Sequence, residues 1–245
     1  MTILKSQRQS YGFTLVELAI VLVIVGLLLA MFLTPLTAQR EIRARAETQE
    51  LLEQARDALI GYAVVNRHLP CPDTKAIPDG IESRSGSICV NASGNPEDEG
   101  VLPWNTLGID RVDAWNHYFR YRADATFTNS APASLFTIAD AEGASGIEIK
   151  GEGGTLLVST NSHPVAVILS HGLNGFGAIN TIQATPANLM DSPTGTDEIN
   201  NTNGDMEFVS QVPTPKGSAN EFDDMLIWIS PKVLINRMII AGRLP

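Results

Sequence analysis

The chain has 245 residues, of which 44% are hydrophobic, and a formal net charge of −10. This length and composition allow a membrane segment together with one soluble domain that has a buried core. The charge is uneven, because residues 68–245 carry 10 basic and 21 acidic side chains, a net charge of −11. Since phosphate groups are bound by basic side chains, this balance argues against binding of nucleic acid or anionic lipid by that part of the chain.

A short basic leader, with Lys5 and Arg8, comes first and is followed by Gly12 and an apolar run over residues 13–33. The run is 21 residues long. A helix of that length reaches roughly 30 Å, which is the thickness of the hydrocarbon core of a bilayer. We therefore predict a transmembrane helix over residues 13–35. Because positive flanks stay in the cytoplasm, the rest of the chain is expected on the far side of the inner membrane.

Glu17 is the only charged residue in the apolar run. A carboxylate inside a spanning segment costs about 2.5–3.5 kcal/mol on insertion scales, so we expect it to have a partner. Cleavage between Gly12 and Phe13 would create an amino terminus one helical turn away. Amine and carboxylate could then neutralise each other, within one chain or between packed neighbours. A buried pair of this kind penalises wrong registers, which suits it to aligning subunits in an assembly.

The order of glycine, phenylalanine, acid and apolar helix resembles the processing site of type IV prepilins and type II secretion pseudopilins. The resemblance implies that a prepilin peptidase of the inner membrane cuts after Gly12 and methylates Phe13, and that Glu17 acts in assembly. It also implies an α+β, pilin-like fold. In that fold a long N-terminal helix, transmembrane in its first half and amphipathic in its second, packs on an antiparallel β-sheet head that includes a short C-terminal helix.

The resemblance divides the chain into a leader (1–12), a transmembrane helix (13–35), an amphipathic stem (36–67) and a periplasmic head (68–245). It implies a structural subunit, a pseudopilin or minor pilin, of a type IV pilus-like or type II secretion filament. The subunit would sit in a bacterial inner membrane, with its N-terminus cytoplasmic and its head periplasmic, before it joins the filament. Other pilins or pseudopilins are the expected partners, and an assembly platform and ATPase act indirectly.

Two other interpretations of the N-terminal segment remain. An ordinary secretory signal has an apolar core of only about 7–15 residues before its cleavage site, which is shorter than the run seen here. A plain membrane anchor needs only length and flanking charge, but it needs neither Gly12 nor Glu17. The alternative function is therefore a membrane-anchored periplasmic binding or enzyme domain that does not polymerise.

Residues 36–66 keep a helical pattern but become amphipathic. Leu52, Ala55, Leu59 and Tyr62 recur at steps of three and four, beside Leu51, Ala58 and Val65, and charged residues fill the other positions. This pattern predicts a helix with one face on the soluble domain. Pro35 should bend the helix, because proline removes one backbone hydrogen bond. Pro70 and Pro72 should end it.

Cys71 and Cys89 are the only two cysteines. A disulfide between them would close a loop of about 19 residues and stabilise the fold by roughly 3 kcal/mol on chain-entropy grounds. An oxidising periplasm permits such a bond. Zinc is the alternative, but two single cysteines without paired C-x-x-C or nearby histidine spacing make a poor site. We predict the disulfide.

The head shows short apolar or alternating segments separated by turn residues. These segments predict strands at 118–122, 135–139, 147–150, 155–159, 165–170, 207–209 and 223–229. Because no helix lies between most of them, an antiparallel sheet is expected. Residues 73–100 and 180–205 are expected to be loops. A final helix should begin after Ser230, with Val233, Leu234, Met238 and Ile239 on its apolar face.

No catalytic arrangement is evident, and we expect no enzyme activity. Ser170 and His171 are neighbours, but a nucleophile needs a base, an orienting acid and an oxyanion hole that converge in space. Major pseudopilins, which this chain resembles, hold calcium near an acidic pair before a strand that contains tryptophan, and Asp223, Asp224 and Trp228 are similar to that arrangement. The alternative is a solvated strand end, favoured by a longer intervening loop. No cofactor is therefore expected, with calcium as the alternative.

Overall fold

The computed structural model describes residues 14–142, 146–159, 161–179, 181 and 190–244, except for the side chains of residues 29–37. The chain divides into two compact units, Met1–Arg43 and Ala44–Pro245. Secondary structure is α+β, with an N-terminal helix and a mainly antiparallel set of strands. This confirms the α+β class, and the pilin-like arrangement with a transmembrane half stays a prediction.

The first helix, α1, spans Leu15–Asn66. In the second unit its buried side chains recur every three or four residues: Thr48, Leu52, Ala55, Leu59 and Ala63. The predicted amphipathic face is therefore present, although Val65 is 66% exposed and does not belong to it. Arg67 has a left-handed backbone (φ 66°), which ends the helix ahead of Pro70. Within the described residues no helix combines the length and hydropathy that a membrane crossing requires. A transmembrane segment at 13–35 thus stays a prediction.

Four antiparallel strands form the main sheet in the order β3-β4-β6-β8: β3 (Glu99–Val101), β4 (Arg120–Ala123), β6 (Ala166–Ser170) and β8 (Met225–Ile229). Every residue of the central strand β6 is buried. Its side chains alternate between two apolar clusters, with Ile168 among residues of α1 and Val167 on the opposite face with Ile149. The sheet is therefore covered on both faces, which explains why β6 is apolar from Ala166 to Leu169.

The second face is covered by a small parallel pair that the sequence did not predict. In this pair β5 (Glu148–Lys150) lies beside β7 (Glu207–Val209) with Ile149 opposite Phe208. Both segments were expected as strands, but in an antiparallel sheet. The parallel pairing is possible because a long connection, which includes β6, separates the two strands in sequence. The pair supplies Ile149 and Phe208 to the core of that face.

Two predicted strands are absent. In the first segment, 135–139, a 3₁₀ helix at Ile138–Glu142 forms instead, and the carboxylate of Asp140 accepts a hydrogen bond of 2.7 Å from the backbone N–H of Thr137. This local bond competes with strand pairing. In the second segment, 155–159, only Leu156 makes a bridge, to Lys150. Apolar alternation in both segments reflects partial packing rather than a ladder.

The segment predicted as a loop, 73–100, contains a hairpin and the start of β3. The hairpin strands are β1 (Arg84–Ser85) and β2 (Ile88–Cys89). A disulfide joins Cys71 to Cys89 with an S–S distance of 2.07 Å, so both sulfur atoms are used and neither is left for zinc. The disulfide ties the hairpin to the chain that leaves α1.

The remaining helices are short except for the last one: α2 (Trp104–Leu107), α3 (Ala125–Thr128), α4 (Thr196–Asn200) and α5 (Pro231–Ile240). In α5 the buried face consists of Leu234, Ile235 and Met238. Val233 and Ile239, predicted for that face, are 49% and 42% exposed. The apolar face is therefore rotated from the predicted one. Ser230 occupies the N-cap position but its side chain makes no capping bond.

Candidate functional site

The N-terminal segment contains the three residues predicted for processing and assembly. Gly12 and Phe13 lie outside the described residues, so their roles stay predictions. Glu17 lies in the first turn of α1 and is exposed.

Thr14 and Glu17 form a reciprocal capping box at the start of α1. The Thr14 side-chain oxygen accepts a hydrogen bond of 3.2 Å from the Glu17 backbone N–H. In return, Glu17 Oε2 accepts bonds of 3.0 Å from the Thr14 backbone N–H and 2.9 Å from the Thr14 hydroxyl. This arrangement satisfies donors that the first turn of a helix leaves open. The carboxylate is therefore held beside the residue that follows Phe13.

The described side chains after this cap are apolar and uncovered in the monomer. The large apolar residues from Leu15 to Leu28 are each between 44% and 86% exposed. A continuous apolar surface of this kind marks a site of contact with protein or lipid. The start of α1 thus carries one positioned carboxylate, and residues 15–28 expose large apolar side chains along the helix.

A second candidate site is buried in the head, where three carboxylates converge from two segments. Glu198 lies on α4, and Asp223 and Asp224 directly precede β8. They are 1%, 6% and 5% exposed. One oxygen from each lies within 4.8 Å of the other two. Sequence analysis named the two aspartates but missed Glu198, because nothing in the local pattern of α4 indicates burial.

Each of the three carboxylates has one oxygen that is hydrogen bonded and one that is not. Glu198 Oε1 accepts bonds from the Asn174 side-chain amide at 2.9 Å and from the Asp223 N–H at 3.0 Å. Asp223 Oδ2 accepts from the Asn174 N–H at 2.9 Å, and Asp224 Oδ2 accepts from the Asn201 amide at 2.7 Å. The other oxygens have no hydrogen-bond partner within the described part of the chain: Glu198 Oε2, Asp223 Oδ1 and Asp224 Oδ1.

This arrangement is costly for ionised groups. Burial raises the pKa of Glu198 to about 7 and that of Asp223 to about 6, and the neighbouring charge of Asp224 acts in the same direction. His171 Nδ1 lies 3.4 Å from Asp224 Oδ1 and likewise has no hydrogen-bond partner among the described residues. Oxygen atoms that are buried and unsatisfied cost free energy unless a proton or a cation is present.

The cluster has the donor type that calcium prefers. Ca²⁺ takes six to eight oxygen ligands, chiefly carboxylates and carbonyls. The backbone at Gly172 closes one side, since φ is +59° and a Cβ atom would lie 2.4 Å from Asp223 Oδ1. A side chain larger than hydrogen would therefore displace this aspartate. The three oxygens that lack a hydrogen-bond partner within the described residues fit a hard cation, with Glu198, Asp223 and Asp224 as the residues that would hold it.

Serine, histidine and aspartate also meet near the end of β6, in an arrangement that the sequence did not predict. The Ser170 hydroxyl donates a bond of 2.7 Å to Asp113 Oδ2, and His117 Nδ1 lies 3.6 Å from the same oxygen. Ser170 is fully buried. Because its proton goes to a carboxylate rather than to an imidazole, the hydroxyl is not activated by a histidine base. The cluster ties the turn that contains Asp113 and His117 to the sheet.

Comparison with protein families places a recognised motif over the N-terminal segment. The model described as the prokaryotic N-terminal methylation motif matches residues 7–33. Comparison with curated proteins and with solved structures gives no significant match. The matched segment contains Gly12, Phe13 and Glu17 in the expected order. This chain therefore carries the hallmark of type IV prepilin-like proteins at its N-terminus.

Proposed function

We propose that the chain is a structural subunit, a pseudopilin or minor pilin, of a type IV pilus-like or type II secretion filament. The observation that carries this proposal is the methylation motif at residues 7–33. The exposed apolar surface of α1 supports it, because such a surface needs lipid before assembly and neighbouring helices afterwards.

In the proposed mechanism a prepilin peptidase cuts between Gly12 and Phe13 and methylates the new amino terminus. Before assembly the subunit is anchored in the inner membrane with its head in the periplasm. Stems then pack side by side, and the carboxylate of Glu17 pairs with the amino group of a neighbour. The role is structural rather than enzymatic, and the energy for assembly comes from a partner ATPase.

The test separates the charge of Glu17 from its role in the capping box. Glutamine can still cap a helix but carries no charge. We expect Glu17→Gln to insert into the membrane normally and to reduce incorporation into filaments at least tenfold. The reason is that the amino group of the neighbouring subunit loses its carboxylate partner in an apolar environment. Filament content is measured by shearing and immunoblotting, and membrane content by fractionation.

The control is Thr14→Val, which removes the hydroxyl of the cap and keeps the carboxylate. It should assemble close to the wild-type level. Loss of assembly in this variant together with normal assembly of Glu17→Gln would show that capping matters and charge pairing does not. That result would contradict the mechanism.

The rival function is a membrane-anchored periplasmic domain that does not polymerise. Mass spectrometry of the mature protein distinguishes the two. The filament subunit should begin at N-methylated Phe13, whereas a plain anchor keeps the leader. An intact leader on the native protein would overturn the filament proposal.

We propose as a second function that the head binds Ca²⁺ through Glu198, Asp223 and Asp224. Three buried oxygens support this proposal, since each is left without a hydrogen-bond donor in the described part of the chain. A bound cation would offset the mutual repulsion of the carboxylates and hold α4 against the entrance to β8. Its role would be stabilisation of the fold, with no part in a chemical step.

Calcium binding is tested by thermal unfolding after chelation and after addition of Ca²⁺. A ligand at about 100 times its Kd should stabilise the folded state by about 2.7 kcal/mol. Glu198→Gln should abolish most of this shift, and the exposed Glu152→Gln is the matched control. An equal response in both variants, or no response in the wild type, would refute the site.

A further inference from the structure

The C-terminal segment 230–245, which contains α5, is basic within an acidic head. Residues 230–245 contain three basic side chains, Lys232, Arg237 and Arg243, and no acidic one. All three are exposed. None has an ion-pair partner in the part of the chain that the structure describes. Since residues 68–245 have a net charge of −11, this segment differs in sign from the rest of the domain.

The exposed face of α5 is also apolar. Val233, Arg237 and Ile240 follow one another at steps of four and three, so they form one stripe along the helix. Val233 is 49% exposed and Ile240 is 73% exposed. The opposite side of α5 is already buried in the core. The side chains of the exposed stripe therefore do not belong to the buried core.

A surface of opposite charge lies on α1. Glu47, Glu50, Glu53 and Asp57 are exposed and follow one another at steps of three and four, which places them along one side of the helix. Asp57 pairs with Arg56 at 3.3 Å. The three glutamates have no basic partner within the described residues. Like charges at this spacing repel one another and weaken an isolated helix slightly.

We propose that the acidic side of α1 in one copy docks on the basic and apolar face of α5 in a second copy. This inference rests on the proposed filament and names a contact between neighbouring heads. Because the contact joins two different surfaces, it can repeat head to tail from copy to copy, as a filament requires. Charge complementarity selects the partner surface, and the apolar stripe increases the nonpolar area that the contact buries.

A membrane surface could occupy the same face of α5, because anionic lipid also attracts basic side chains. A basic and apolar helix can lie on anionic lipid. The second copy is favoured because the chain itself carries matching acidic groups: Glu47, Glu50 and Glu53 have no basic partner within the described residues. The excess of acid elsewhere in the head also repels anionic lipid.

The first experiment reverses charges in the full-length chain and measures filaments. Arg237→Glu and Glu50→Arg should each lower filament yield roughly fivefold to tenfold, and the double variant should recover most of it, because the swapped charges attract again. Lys216→Glu likewise replaces an exposed basic side chain with glutamate and should leave the yield unchanged. Equal yields for Arg237→Glu and the wild type would overturn the docking proposal.

The second experiment uses introduced cysteines, since both natural cysteines are held in the disulfide. Cells that make Ile240→Cys and Glu50→Cys copies together should give a crosslinked dimer of the two under mild oxidation. Ser218→Cys with Glu50→Cys is the control and should give none. Filaments without the crosslink would overturn docking and leave the filament proposal intact. An unprocessed chain that never forms filaments would instead overturn the proposed function.

The lipid alternative is checked with vesicles that contain a quarter phosphatidylserine. Docking predicts that Arg237→Glu leaves the amount of full-length chain that sediments with them unchanged. Sedimentation that Arg237→Glu abolishes, with normal filament yield, would identify lipid as the occupant and overturn the proposal.

Discussion

Glu17 and Glu198 both lie near the start of a helix, but Glu17 is exposed and Glu198 is buried. Glu17 is exposed and makes a complete capping box with Thr14. Glu198 is 1% exposed and keeps one oxygen without a donor within the described chain. The sequence identifies the first, because an acid in an apolar run is conspicuous. It cannot identify the second, whose burial depends on residues that are distant in sequence.

Stability of the metal-free head should fall as pH rises from about 5 to about 8. The folded-state pKa of Glu198 is raised to about 7 and that of Asp223 to about 6, while free carboxyls titrate near about 4. The folded state therefore holds extra protons. The stability linked to them is complete below about pH 4 and is lost as pH rises through the two raised pKa values.

Urea unfolding in the presence of a chelator measures this loss. Glu198→Gln should be more stable than the wild type by about 1–3 kcal/mol at about pH 8 and similar to it at about pH 5. Added Ca²⁺ should remove the difference. A difference in the free energy of unfolding that stays constant across this pH range would show that ionisation of Glu198 does not destabilise the folded state.

At the scale of elements, periodicity predicted helices well and strands less well. In α1 the positions Leu52, Ala55 and Leu59 are buried as the pattern required. In α5 the face is offset, because Val233 and Ile235 are both apolar and only packing decides which of them points inward. Apolar residues on both sides of a helix leave its rotation undetermined from sequence.

Strand pairing depends on contacts that no local pattern contains. The segments 147–150 and 207–209 were recognised as apolar, but their parallel pairing brings together residues that are far apart in sequence. The segment 155–159 has the right composition and lacks a partner strand, apart from the bridge at Leu156. The acidic cluster depends on the same long-range assembly, since α4 must fold back to the start of β8.

The second compact unit, Ala44–Pro245, contains both apolar clusters. The first core residue of the larger cluster is Leu52, so among the described residues the buried apolar side chains lie within this unit. The disulfide and the three buried carboxylates lie there as well. A chain that begins at Ala44 therefore keeps both clusters, the disulfide and the buried carboxylates.

A chain that begins at Ala44 should accordingly fold by itself without detergent. We expect a cooperative thermal transition and native near-ultraviolet circular dichroism, because it keeps the whole buried face of α1. The matched control begins at Gly61 and lacks Leu52, Ala55 and Leu59, each no more than 1% exposed. Removal of one buried leucine side chain costs about 2–5 kcal/mol, and typical domains have only about 5–15 kcal/mol of stability. The control should therefore fail to fold.

A chain from Ala44 without a cooperative transition would show that the head depends on the segment before it. A folded chain from Gly61 would show that the core does not need α1.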